Sequence, residues 1–263
     1  MSKSKDLPAL GHPNSIWTTI PVSEGDITGI RIGPAQIGLK RTHNEFWTAV
    51  VRSLDDPAPN FDAEWSRWAL RKAGVALRLT PMMPDRQIVV RPEYPFRLAS
   101  GAEVRIFTRI PVWVGIFTDE AKPSKLVEYP TVLLSKTWFG DFLDGILCYD
   151  VSTTARRDIT PEHFQPHTVI CTINIRNQSD EDLQIDKLSL LVERLSMYEL
   201  DGQLWSDEMD VEYRGGDKHS DIAVKGKAPS EASTARLLSP PRSAQRKSIA
   251  ERTFRMIKDF HVF

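Results

Sequence analysis

The sequence predicts an all-β protein of two packed β-sandwich-like halves, with a short helix near residue 65 and a C-terminal amphipathic helix. Three observations lead there. Short runs rich in β-branched and aromatic residues recur along most of the chain, bounded by Gly, Pro, Asn and Asp. Within several runs, apolar and polar residues alternate with a period of two, the pattern of a strand buried on one face. Helical periodicity is confined to two segments, which leaves sheet packed on sheet as the architecture.

Residues 1–15 read as a flexible arm, polar and punctuated by Pro8, Gly11 and Pro13. An N-terminal β-rich half spans 16–134. DITGIRIG, residues 26–33, and AQIGLKR, residues 35–41, are short strand runs around the turn dipeptide Gly33-Pro34, a hairpin signal, and 45–52 supplies a third strand. Residues 55–62, DDPAPNFD, have the composition of a loop. Trp65, Trp68 and Lys72 then recur at helical spacing, with Gly74 where a C-cap belongs, which predicts a helix. From 75 to about 134 the pattern is β again. Val104, Ile106 and Thr108 alternate with Glu103, Arg105, Phe107 and Arg109, a half-buried strand.

The C-terminal half spans 135–263. Residues 167–193 hold two strands joined by the polar turn NQSDED. Val169, Cys171, Ile173 and Ile175 share a face, and Leu183, Ile185, Leu188 and Leu190 supply the partner, an arrangement common in immunoglobulin-like sandwiches. Further short strands fit 195–199, 209–213 and 221–225. Residues 243–260 predict the terminal helix, with Ser243 as cap and a stripe of Ala250, Phe254, Ile257 and Phe260.

Composition excludes several classes. With 34 basic and 35 acidic residues the net charge is −1, so no global field draws the chain to nucleic acid, and none is expected as a partner. Two cysteines, Cys148 and Cys171, fit a reducing compartment and predict a cytoplasmic protein. The first residues lack the apolar core of a signal peptide, and the most apolar stretch, 110–117, is too short to span a bilayer, so no transmembrane segment is expected. Asn177-Gln178-Ser179 matches a glycosylation sequon that has no use in that compartment.

Few residues offer chemistry. His163, His167 and Cys171 are spaced by four, as zinc ligands on a helix would be, but Pro161 and Pro166 break that helix and a fourth ligand is missing. A core cysteine beside an edge histidine is the plainer reading, and no metal or cofactor is expected. Cys148 lies in GILCY among apolar neighbours, the setting of a buried structural thiol. Glu208, Asp210 and Glu212 fall on one strand face with Asp207 opposite; they suit a hard cation or, more simply, a charged edge that blocks aggregation. Residues 224–230, VKGKAPS, lack the spacing of a phosphate loop.

The richest stretch is 133–150, LLSKTWFGDFLDGILCYD, in which Lys136, Trp138, Asp141 and Asp144 interleave with Phe139 and Phe142. Two readings stay open. It presents an aromatic anchor beside charges, as binding sites do, or it crosses between the halves and plugs the core with Trp138 and Phe139. The C-terminal segment adds a basic set, Arg236, Arg242, Arg246, Lys247, Arg252, Arg255 and Lys258, suited to an acidic partner or a membrane surface, or simply to solvation.

PEYPFRLASGAEVRIFTRIPVWVGIF and LVEYPTVLLSKTWFGDFLDGILCY, within 92–149, resemble the Domain of Unknown Function 432 family of archaea and bacteria. The likeness continues through HTVICTINIRNQS, QLWSDEMDVEY and Pro240-Pro241-Arg242. The resemblance brings no established activity and no catalytic residues. It implies an accessory role at the cytoplasmic face of the inner membrane, beside a small-conductance mechanosensitive channel. The leading expectation is therefore a non-enzymatic binding or accessory module anchored by Lys136, Trp138, Phe139 and Asp141, with Arg246, Arg252 and Arg255 assisting. The competing expectations are a hydrolase or transferase assembled from Asp141, Asp144, His167 or Cys148, and a small-ligand module with an apolar pocket between the halves.

Overall fold

Alternation and turn chemistry become strands wherever the chain supplies both. The structure, a computed structural model, describes residues 15–52, 61, 64–70, 76–140, 142–143, 145–160, 163–215, 220–243 and, by backbone alone, 249–251. After the short β1 (Thr19–Ile20), β2 (Ile27–Ile32), β3 (Ala35–Thr42), β4 (Glu45–Arg52) and β5 (Ser66–Ala69) form an antiparallel meander in chain order. The β2–β3 turn needs glycine: Gly33 has φ 57°, and a Cβ there would lie 2.3 Å from the His167 ring.

β6 (Leu77–Met82), β7 (Ile88–Pro92), β8 (Phe96–Leu98), β9 (Glu103–Pro111), β10 (Trp113–Thr118) and β11 (Lys125–Pro130) follow. A second antiparallel sheet has the order β1-β6-β10-β11. β12 (Ser135–Phe139) and β13 (Ile146–Ala155) make a hairpin, followed by β14 (Thr168–Asn177), β15 (Leu183–Ile185) and β16 (Leu188–Leu190). β13 runs parallel to β7, giving a third sheet of order β12-β13-β7-β16, while β15 pairs only with β8.

The last strands, β17 (Met197–Leu200), β18 (Gln203–Ser206), β19 (Met209–Tyr213), β20 (Ser220–Val224), β21 (Arg236–Ser239) and β22 (Ile249–Glu251), join the largest sheet, of order β21-β17-β18-β14-β19-β20-β22. β9 lies antiparallel along β14 over its length, from Thr168 opposite Pro111 to Arg176 opposite Glu103. Three of the sheets thus take strands from both sides of residue 134.

The core follows the alternation. Val104, Ile106 and Ile110 of β9 meet Ile175, Ile173 and Val169 of β14, all buried in one cluster with Ile37, Leu79, Ile88, Ile116 and Leu188. Each such aliphatic side chain contributes about 1.5–3 kcal/mol by leaving water. The opposite face of β9 and β14 is also covered: Phe107, Ile170, Trp205 and Ala232 form a second cluster under loops, with Phe164 edge-on to Trp205.

Both expected helices are corrected. Ser66–Ala69 is β5, paired with β4 from Trp68 opposite Phe46 to Ser66 opposite Thr48. The tryptophan spacing that resembles a helical stripe serves two separate docking points. Trp65 lies over Gly38, where a Cβ would sit 2.9 Å from its ring. Trp68 donates its indole N–H to Thr48 at 3.2 Å, and Arg67 stacks over Trp47 while ion-pairing with Glu45. In the terminal segment, Ile249–Glu251 pairs with Ser220–Ile222 of β20 as a strand. Backbone pairing to an otherwise open sheet edge outweighs helical periodicity there; Ala250 belongs to that strand, and Phe254, Ile257 and Phe260 lie outside the described residues. The strands at 183–190 do not partner β14 as the spacing suggests. They cap β8 and β7 instead, because the short turn after Asn177 turns the chain away from the sheet it has just left.

Candidate functional site

Residues 133–150, which the sequence offers as an aromatic anchor or as a core-plugging crossover loop, fold as the β12–β13 hairpin with β12 on the outside of its sheet. Period two then separates the side chains into two faces. Phe139 and Cys148 turn inward onto Val89 as a small buried cluster, with Lys187 over the Phe139 ring. Trp138 and Leu147, directly opposite one another, turn outward. Trp138 is 48% exposed against 3% for Phe139, so one member of that pair is anchor and the other is surface. At the tip Phe142 is 93% and Leu143 88% exposed; Leu147 shares the outer face with Trp138, while Ile146, opposite Phe139, is partly exposed on the other face. Isolated exposed apolar residues are ordinary; this many on one hairpin form a patch, and patches mark contact surfaces. Lys136 is exposed on the outer face of β12, while Asp141 and Asp144 lie outside the described residues. The signal that could have identified the hairpin was the glycine-bounded GDFLDG between two β-rich runs.

The carboxylates of 207–212 have a different role from edge protection. β18 and β19 both run parallel to β14, Trp205 opposite Ile170 and Met209 opposite Ile173. One extra residue on their side makes a bulge at Asp207–Glu208, which aims the two side chains to opposite faces. Asp207 is fully buried and accepts the Ser196 N–H at 2.6 Å and the Tyr198 hydroxyl at 2.8 Å. Glu208 accepts from Lys225 at 2.6 Å, Asn174 at 2.6 Å and Arg105 at 3.1 Å. Arg105 in turn grips Glu231 through two nitrogens, and Asn174 and Lys225 also hold Asp210. Burial by itself would raise the Glu208 carboxyl, but the bonds from Lys225, Arg105 and Asn174 outweigh it and hold the group at about 2. This is a closed ion network, interior to the sheet, whose acceptors are already matched by donors of the chain itself.

The thiols and histidines do not converge. Cys171 is wholly buried, and desolvation pushes its thiol up to about 12. Cys148, also buried and likewise raised by desolvation, has the Ile146 carbonyl and the Ser189 hydroxyl as hydrogen-bond partners of its sulfur. His167 rests against the Gly33 turn, its imidazole held below the usual range by burial and by Arg109. His163 instead meets Arg156 at 2.8 Å. Among the described residues no group of three His, Cys, Asp or Glu side chains is arranged to hold a metal ion. Both thiols, protonated and sealed, are expected to resist a thiol reagent such as a disulfide-exchange dye in the folded protein. Fast stoichiometric labelling of Cys148 in native buffer, relative to protein in denaturant, would contradict this.

Of the basic C-terminal set, Arg236 is an exposed charge held in an ion pair, whereas Arg242 is drawn into the fold. Arg236 pairs with Glu199 at 2.8 Å, and the mostly buried Arg242 lies over the Trp113 ring, pairs with Glu128 at 2.9 Å and donates to the Met83 carbonyl. Arg246, Lys247, Arg252, Arg255 and Lys258 lie outside the described residues. Among the described residues no helix is long and apolar enough to cross a membrane.

Sheet order, core and hairpin together define a mostly β protein of several packed sheets. The family model described as Protein of unknown function (DUF432) matches residues 16–258, and the chain belongs to that family. No curated protein and no solved structure matches it.

Proposed function

We propose that the protein is a non-enzymatic accessory module that docks onto another protein through the β12–β13 hairpin. The observation that carries this reading is the concentration of Trp138, Phe142, Leu143, Ile146 and Leu147 as exposed apolar groups on one hairpin. The hairpin is anchored from below by Phe139 and Cys148, so the patch is presented on a packed support. Asp141 and Asp144 flank Phe142-Leu143 in the sequence. Carboxylates beside the apolar tip disfavour insertion into lipid and suit a protein surface carrying cations. The family resemblance supplies the named candidate, a small-conductance mechanosensitive channel met from the cytoplasmic side of the inner membrane.

The test is a pull-down of tagged protein from detergent-solubilised cells, read by mass spectrometry. A stoichiometric partner should accompany the wild type and be lost from Trp138→Ala and Phe142→Asp. Because both side chains are substantially exposed, their melting temperatures should stay within about 3 °C of the wild type, a surface substitution costing under ~0.5 kcal/mol. Recovery of the same partner with both variants would exclude the hairpin as the docking surface. A channel among the co-purified proteins would support the finer reading.

A further inference from the structure

One histidine stands at the joint between the β2–β5 meander and the largest sheet. His167 immediately precedes β14, and its carbonyl accepts the Val112 N–H at 2.9 Å where β9 passes into β10. Its ring lies so close to the β2–β3 turn that a Cβ on Gly33 would stand 2.3 Å from Cγ and 2.4 Å from Nδ1. Ile32 and Ala35, on either side of the turn, are fully buried, so this contact closes the end of the meander.

The ring has no accommodation for a charge. Its Nδ1 is buried and has no hydrogen-bond partner among the described residues. A neutral imidazole leaves one nitrogen without a proton, and Nδ1 can be that nitrogen. An imidazolium must place an N–H there, against the turn and without an acceptor. The charged groups around the joint are cations from three strands. Arg109 of β9 acts on the ring, and Arg31 of β2 donates Nε to the Gly33 carbonyl at 3.4 Å. Arg52 of β4, opposite Ala35, donates Nε to the Pro130 carbonyl at 3.0 Å. Burial first, and then Arg109, hold the imidazole below its ordinary pKa of 6.5, and no carboxylate offsets them.

We propose that His167 is a pH-sensitive latch: neutral, it closes the β2–β3 turn onto the β9–β14 pair, and on taking a proton from mildly acidic solvent it loosens that turn. The opened turn lets the imidazolium reach water, so the open form binds the proton more readily than the closed one. Closure is therefore complete above 6.5 and weakens as pH falls below it. The opening is local. β4 stays held by the 2.8 Å hydrogen bond between Thr48 and Tyr129 and by Arg52 on Pro130, and Leu39 and Phe46 remain in the core. The latch lies outside the β12–β13 hairpin, and its test does not depend on that docking surface.

The experiment is hydrogen–deuterium exchange of the full-length protein at about pH 7.5 and about pH 5.5, corrected for the intrinsic pH dependence of amide exchange, with the His167 ring titrated by NMR. Peptides covering residues 28–38 should exchange several-fold faster at the lower pH, up to about tenfold, the ceiling one group with an ordinary pKa of 6.5 sets over that interval. Peptides covering β18 and β19 should not change. His167→Gln, which has no titrating ring, should abolish the acceleration. Arg109→Gln, which removes the like charge, should move the His167 titration and the onset of opening to higher pH. Acceleration that persists in His167→Gln overturns the proposal, as does a wild-type turn that exchanges equally at both pH values. Should His167→Gln fail to fold, the wild-type titration decides: a ring titrating at or above 6.5 overturns the latch, and one titrating below it in step with the exchange supports it.

Discussion

A Glu208→Gln variant is expected to be less stable than the wild type by on the order of 2–3 kcal/mol at pH 7, and by progressively less as the solution is acidified. The carboxylate is 7% exposed and receives Lys225, Asn174 and Arg105. Its pKa is lowered from 4.5 to about 2 in the fold, and each pH unit of such displacement is worth about 1.4 kcal/mol. A folded-state pKa depressed below the unfolded one means stability that is fully present above the unfolded value. It is lost as pH falls from about 4.5 through about 2. Urea denaturation of both proteins between neutral pH and pH 3 reads this directly. The gap between them should narrow across that window, and a gap that does not change with pH would mean the network contributes through packing alone.

Asn177→Ala should cost about 3 kcal/mol, more than a surface asparagine and comparable to a core truncation. The side chain is fully buried. Its amide nitrogen donates to the carbonyls of Leu98 at 2.9 Å and Glu181 at 2.7 Å. Its oxygen accepts the backbone N–H of Ser179 at 3.0 Å and the Ser179 hydroxyl at 2.7 Å. These bonds tie the end of β14 to β8 and close the turn that turns the chain toward β15. Removing them takes the amide from the buried Leu98 carbonyl and leaves the Ser179 hydroxyl and N–H without their acceptor. Asn177→Asp should be nearly as damaging, because it turns a negatively charged oxygen toward two carbonyls, whereas Ser179→Ala should cost about 1 kcal/mol. Chemical denaturation measures all three. A loss under about 1 kcal/mol for Asn177→Ala would show that water replaces the amide. The same geometry accounts for the sequon: its asparagine is consumed in the fold.

Much of the β architecture was legible because period two is a local property. The faces read for Val104, Ile106 and Thr108, and for Val169 to Ile175, are those found in the core. The two helices were misread for a physical reason. Trp65 and Trp68 sit three apart, which suits a helical stripe, but each ring has its own partner on β3 and β4. Such partners lie some twenty residues away in the chain and leave no trace in local spacing. Ile249–Glu251 likewise takes its structure from the open edge of β20.

The candidate site was half legible. Residue types in SKTWFGDFLDG singled out the segment, yet whether Trp138 or Phe139 faced solvent depended on which side of β12 met Val89. That choice was made by pairing β13 with β7, strands more than fifty residues apart.

By itself, then, the sequence determined strand identity, turn positions and the side chains that any core must bury, because these depend on backbone sterics, hydrophobic periodicity and the nearest few neighbours. Tertiary structure alone decided which strands became neighbours, which carboxylates were neutralised and which apolar side chains were left outside. Those outcomes depend on contacts between distant segments, where burial of one face and exposure of the other are settled together.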